Sequence, residues 1–296
     1  MQADHRVSGN SVWIGAEGLG QTLKVLHVTD SHISGDGETE APFDDYSARM
    51  HDAYSQYDRK GAFQRAMDLA VAERVDLIAL TGDQVNYPST SSVEFVRSQI
   101  ERTGIPHLYT SGNHDWHYEG MPGSLDALRA VWRAERLKPL YADSESLSFA
   151  ALDLKGVRFI AIENGTSQVD EAQLDFFEAQ ILEGLPTVLL VHIPLCVPGL
   201  LGQTDGTPMC GDPAWGAETD RNFVIERRER WPTTGNRPST MAFVEAVRRT
   251  ENLVGVLCGH IHQHREDALS EHAVQYVTKP GFDEGYRLVI VGPKEG

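Results

Sequence analysis

The chain is poor in cysteine, poor in positive charge, and without long apolar runs. Three cysteines in 296 residues, Cys196, Cys210 and Cys258, are too few and odd in number for a disulfide framework. Cys258 ends an apolar run and is expected to be buried filler. Lys and Arg number 26 against 43 Asp and Glu, a formal net charge of −17. That balance disfavours a nucleic-acid partner, because phosphate backbones are bound through Lys and Arg. No stretch approaches the roughly 18 apolar residues that span a bilayer, so no membrane association is expected. The opening MQADHRVSGNSVWIGAEG lacks the basic-then-apolar pattern of a secretory signal, and the expected location is the cytoplasm. Internal repeats and low-complexity tracts are also missing. The length fits one large α/β unit, and a single domain over 1–296 is expected.

Against these absences stand five short polar motifs in a fixed order. They are Asp30-Ser31-His32, Gly82-Asp83-Gln84-Val85-Asn86, Gly112-Asn113-His114-Asp115, a lone His192, and Gly259-His260-Ile261-His262. Each follows a short apolar run: LKVLHVT, VDLIAL, HLYTS, TVLLV and LVGVLC. Such runs, closed by polar or glycine residues, read as buried strands. Five strands therefore deliver His, Asp and Asn at their C-terminal ends, where open α/β sheets place their ligand crevice. Any one block alone has an ordinary reading as a turn, a cap or a core histidine. Gly-His-Ile-His says more, since alternation on an extended segment points His260 and His262 the same way.

The side chains on offer are Asp30, His32, Asp83, Asn113, His192, His260 and His262. All donate oxygen or nitrogen and none is a thiolate, a set suited to Mn, Fe or Zn. Seven are too many for one tetrahedral ion with an open position, but they fit two ions if one carboxylate bridges. Two divalent ions less two carboxylates and a bridging hydroxide leave net positive charge aimed at an anion, and a phosphate ester is the obvious one.

With all five blocks present in order, from Asp30 to His262, the chain resembles the calcineurin-like metallophosphoesterases, whose pattern is D-x-H, G-D-x-x-D/N, G-N-H-D/E, H and G-H-x-H. The resemblance implies that Asp30, His32 and His262 hold one metal, that Asn113, His192 and His260 hold a second, and that Asp83 bridges them. It implies that His114 acts as general acid or transition-state stabiliser, oriented by Asp115, because a departing alkoxide must be protonated or neutralised. Asn86 stands where many members have Asp and is expected to support the site or the turn. The chain has His192-Ile193-Pro194 where many small-molecule phosphodiesterases of the superfamily carry a histidine pair. His117 and His264 are expected to be supporting or surface residues.

The element pattern predicts strands at 23–29, 76–80 and 106–111 alternating with helices at 58–74, 91–103 and near 123–135. Such alternation implies a largely parallel arrangement. A hairpin over 146–163 turning at Lys155-Gly156 follows. Next come a helix over 169–182 with Leu174, Phe177, Ile181 and Leu182 facing the core, and a strand over 186–192. A helix over 239–250 capped by Ser239 and short strands near 273–278 and 286–292 complete the pattern. This is an α/β (mixed α+β) fold with two packed sheets and helices outside, and the resemblance implies a four-layer αββα sandwich. Two irregular stretches, 33–56 and 195–237, leave from ligand-bearing strand ends and could roof the site. The second holds Trp215, Trp231, Arg227, Arg228 and Arg230, and is expected to set substrate choice through an Arg on phosphate and an aromatic ring on an organic group.

The expected function is hydrolysis of a phosphate ester by in-line attack of a metal-bridging hydroxide. The substrate is expected to be a small phosphodiester such as a cyclic nucleotide or glycerophosphodiester. The alternatives are a phosphomonoesterase, protein phosphatases included, and a non-catalytic metal-binding scaffold.

Overall fold

A computed structural model describes residues 3–34, 55–117, 120–141, 144–200, 209–215, 222–225, 227 and 234–294. Twelve strands are described: β1 (Ala3–Ser8), β2 (Ser11–Ala16), β3 (Leu23–Val28), β4 (Leu77–Thr81), β5 (His107–Thr110), β6 (Phe149–Leu154), β7 (Val157–Ile162), β8 (Thr187–Leu190), β9 (Leu253–Cys258), β10 (Arg265–Ala268), β11 (Val274–Val277) and β12 (Arg287–Pro293). The α-helices among the described residues are α1 (Arg59–Glu73), α2 (Thr90–Glu101), α3 (Leu125–Trp132), α4 (Glu171–Ile181), the single turn α5 (Asn222–Ile225) and α6 (Pro238–Arg249).

The strands form two mixed six-stranded sheets, in the orders β1-β2-β12-β3-β4-β5 and β10-β11-β9-β8-β7-β6. In each, a parallel core carries the motifs: β3-β4-β5 in the first and β7-β8-β9 in the second. The layering follows from period-two alternation in strands buried on both faces. Val25, Leu77, Ala79, Val188 and Leu190 meet Ile14, Phe159 and Val254 in a core between the sheets. The intervening Leu26, Val28, Ile78, Leu80 and Leu189 turn outward into a second core, which also takes Phe63 and Met67 of α1, Phe177 of α4 and Phe243 of α6. The result is a helix–sheet–sheet–helix sandwich. No helix among the described residues is long and apolar enough to cross a membrane.

The hairpin β6–β7 turns at Lys155 and Gly156, both with positive φ, as the sequence predicts. The N-terminal segment, where no strand is expected, is a hairpin with the two-residue loop Gly9-Asn10, and β10 is likewise unforeseen. The last strand crosses back into the first sheet, running parallel to β2 and antiparallel to β3.

Several expectations need correction. Leu182 is 85% exposed, because α4 ends at Ile181 and the chain turns away. Ser239 is not the cap of its helix: Arg237 is, Pro238 starts the first turn, and Ser239 Oγ donates instead to the Val169 carbonyl at 2.7 Å. The helix near 123–135 is regular only to Trp132 and continues as a π-helical turn. In the stretch 195–237, Met209, Cys210 and Trp215 are core residues rather than a roof, and Leu195 bridges to Cys210. Of its three arginines Arg227 is described. It is exposed, and its carbonyl accepts from Gly120 N at 3.1 Å. Arg228, Arg230 and Trp231, and most of 33–56, lie outside the described residues. The three cysteines are buried free thiols.

Candidate metal centre

All seven candidate ligands sit in loops just beyond the C-terminal ends of β3, β4, β5, β8 and β9. The first two loops continue the sheet as a short ladder. Asp30, His32 and Ile33 donate through their amides to the carbonyls of Gly82, Asp83 and Gln84 at 3.0, 2.9 and 3.0 Å. Gly82 has φ +87°, and a Cβ there would come within 2.7 Å of His192 Nδ1. Glycine is therefore required for the two sheets' loops to approach.

The ligating atoms fall into groups. Asp30, His32 and His262 form one, Asp83, His192 and His260 another, and within each the ligand atoms lie no more than 4.8 Å apart. Asp83 lies between them: its Oδ2 is 3.2 Å from His192 Nε2 and 3.8 Å from His32 Nε2. Asn113 Oδ1 is 3.2 Å from His192 Nε2. Asp30 Oδ1 is 3.3 Å from His262 Nε2 and 3.9 Å from His32 Nε2. A cation about 2.0–2.2 Å from each of two ligands sets them about 3–3.6 Å apart, so most of these separations are close to the edges of coordination polyhedra.

The remaining atoms are committed in ways that leave the metal-facing ones available. His32 Nδ1 pairs with Asn86 Oδ1 at 3.0 Å, and His192 Nδ1 with the Thr81 carbonyl at 2.8 Å. Each partner is an acceptor, which puts the proton of the neutral ring on Nδ1 and leaves Nε2 as that ring's lone pair. Asp30 Oδ2 accepts from Thr29 Oγ1 at 2.8 Å and His260 N at 2.9 Å. Its Oδ1, and Nε2 of His260, are buried without a hydrogen bond. Buried polar atoms without such a partner are rare, and oxygen and imidazole nitrogen are what a divalent ion takes. The residues fit a metal.

Electrostatics point the same way. Burial pushes His32 and His260 down to about 3, so both rings are neutral near pH 7. Burial alone would raise Asp30 and Asp83, but neighbouring histidines, His262 for the first and His192 for the second, hold both below the usual carboxylate range. Burial disfavours a charged His192, yet Asp83 beside it raises it to about 10. A cation held by this ring would have to displace that proton.

Asp115 differs from expectation. Its buried carboxylate accepts from three loop amides: Oδ2 from Asp83 N at 2.7 Å and Gly112 N at 2.8 Å, and Oδ1 from Val85 N at 2.9 Å. It ties the second and third motif loops together. Burial, with Asp83 next, raises it to about 7. His114 is partly exposed, its amide donates to Asp83 Oδ1 at 2.8 Å, and its ring lies 4.8 Å from that of His32. His260 and His262 do not lie on an extended segment. Both have positive φ, and they serve different groups. His117 is buried and His264 exposed. Asn86 touches His32, a supporting place.

The family model for calcineurin-like phosphoesterases matches residues 23–264. The chain belongs to that family. It is a hydrolase acting on phosphate esters. Over 266 residues it is 22% identical to a probable cyclic nucleotide phosphodiesterase of Moraxella catarrhalis, covering 90% of this chain and 80% of that one. Another protein of that description, from Psychrobacter arcticus, is 31% identical over 93 residues, a match spanning 31% of each chain. The structure of a dimetal phosphatase from Danio rerio superposes with a TM-score of 0.55 at 11% identity, covering 88% of both chains, a likeness of fold. Its place in the phosphoesterase family accounts for the five blocks.

Two supporting residues escaped the sequence reading. Arg59 donates through Nη1 to the His32 carbonyl at 2.7 Å and to Ser34 Oγ at 2.9 Å. Asn164 contacts the His192 loop. Its one sequence signal is its place just past an apolar strand, as for the motifs themselves.

Proposed function

We propose that the centre binds two divalent metal ions and hydrolyses a small phosphodiester. Asp30, His32 and His262 would hold one ion, Asn113, His192 and His260 the other, with Asp83 shared. Mn, Fe or Zn suits these donors. Such ions supply Lewis-acid stabilisation of phosphoryl charge and activation of water. The single observation that carries the reading is the placement of Asp83 Oδ2 between two imidazole nitrogens of different groups, 3.2 and 3.8 Å away.

The chain's own groups do the rest. His114, at the exposed side of the cluster, gives a proton to the departing alkoxide. Asp115 holds the loops of Asp83 and Asn113 in register, so the shared carboxylate and the amide face the same volume. The relatives' descriptions as probable cyclic nucleotide phosphodiesterases support a diester, and a net charge of −17, which disfavours a polymeric nucleic acid, supports a small one.

The test compares bis-p-nitrophenyl phosphate, p-nitrophenyl phosphate and 3′,5′-cyclic nucleotides with the metal-loaded and chelated protein. Diester turnover that exceeds monoester turnover and vanishes on chelation is expected. Preference for the monoester would assign a phosphomonoesterase, and full activity after chelation would end the two-metal reading.

A further inference from the structure

His192 leaves its sheet where the neighbouring strand has already parted from it. The β7–β8 ladder ends at the pair Ala161 and Leu190. Past that point the amides of His192 and Ile193 and the Ile193 carbonyl, in residues both fully buried, need partners that no strand provides. Asn164 supplies them. Its Oδ1 accepts from His192 N at 3.0 Å and Ile193 N at 2.9 Å, while its Nδ2 donates to the Ile193 carbonyl at 2.7 Å. A carboxamide carries the same donor and acceptor as a peptide group, so this side chain extends the sheet where its backbone stops.

Asn164 is itself fully buried and rigidly held. Its carbonyl accepts from Ser167 N at 2.7 Å. Glu163 before it takes Gly165 N at 2.8 Å and faces Arg133 Nη1 at 3.3 Å. His192 has two further anchors, its ring Nδ1 on the Thr81 carbonyl at 2.8 Å and its own carbonyl on Gly259 N at 3.0 Å. With the main chain fixed by Asn164 and the ring by Thr81, Nε2 points at Asp83 Oδ2 and Asn113 Oδ1, each 3.2 Å away.

We infer that Asn164 is a positioning residue that sets the His192 metal position, an inference that rests on the two-metal reading above. Its effect should be selective, because its bonds reach the His192 loop and not the loops of Asp30, His32 or His262.

Calorimetric titration of the metal-free protein with Mn²⁺, and separately Zn²⁺, tests this. Relative to wild type, Asn164→Ala is expected to weaken one binding step by about 10–100-fold, the usual loss when a group behind a metal ligand is removed. The other step should stay within about twofold. Gln168→Ala is the control. It cuts the bonds from Gln168 Oε1 to Arg237 N at 2.8 Å and Thr240 Oγ1 at 2.9 Å, on the same connection but away from His192. It should lower Tm and leave both affinities unchanged. If Asn164→Ala does not fold, Asn164→Ser gives the same comparison. Affinities within twofold of wild type in the Asn164 variant, or an equal fall of both steps, overturn the inference. Wild-type stoichiometry is a separate readout: fewer than two ions per chain refutes the two-metal reading, while the variant-to-wild-type ratio still judges Asn164.

Discussion

Asp30, His32, Asp83, His260 and His262 have φ between 44° and 71°, in the left-handed region. They make up half of the ten described non-glycine residues with positive φ. Each such residue costs about 1–3 kcal/mol and persists only where its surroundings compel it. Here the surroundings are the interlocked loops: His260 N on Asp30 Oδ2, His114 N on Asp83 Oδ1, and the Asp115 carboxylate on three amides. The strain is thus gathered on the candidate ligands themselves, as strained backbone tends to cluster at functional sites. None of it is visible in sequence, where Gly-His-Ile-His reads as extended. His114 lies at the same scale. Replacing it with Ala is expected to lower turnover by about 10²–10⁴-fold while metal content, measured by elemental analysis, stays at the wild-type level. Wild-type turnover in that variant would remove His114 from the chemistry.

At the scale of elements, the parallel strands were legible because they are apolar on both faces. β4, β7, β8 and β9 are buried at every position. Helix ends were harder to read. Ser239 looks like a cap by type, but the proline before it already occupies the first turn and the hydroxyl serves another loop. The real cap in the second half is Asp170, in a reciprocal box with Gln173: Asp170 Oδ1 takes Gln173 N at 2.9 Å, and Gln173 Oε1 takes Asp170 N at 2.9 Å. Asp170→Ala is expected to cost about 1 kcal/mol in urea unfolding, with the metal affinities unchanged. A loss below about 0.3 kcal/mol would show that tertiary packing, not the cap, holds the start of α4.

For the whole molecule, what matters is how the two sheets are joined. His27 lies in that join, fully buried: Nε2 pairs with Thr81 Oγ1 at 2.7 Å and Nδ1 with Thr278 Oγ1 at 2.9 Å, linking β3 to its own sheet and to the chain just past β11. Burial, with Arg287 next, lowers it from 6.5 to about 3. The folded ring is thus neutral where the unfolded one gains a proton. Its stabilisation is complete above pH 6.5 and is lost as pH falls towards 3, at up to about 1.4 kcal/mol per pH unit. Between pH 7 and 5.5, wild type is expected to lose about 1 kcal/mol more unfolding free energy than His27→Gln. Equal losses in the two proteins would show that His27 does not carry the pH dependence.

The linear sequence alone determined that apolar strands end in side chains offering oxygen and nitrogen, in an order that belongs to the phosphoesterase family. These are local facts: strand burial shows in runs of five or six residues, and the motifs are contiguous. Only the tertiary structure decided the return of β12 into the first sheet, the commitment of Asp115 to loop amides, and the hold of Asn164 on a histidine 28 residues away. Hydrogen bonds between side chains and distant backbone leave no periodic trace, because a carboxylate or carboxamide is polar wherever it stands and acquires a task only when the sheets bring a bare amide to it.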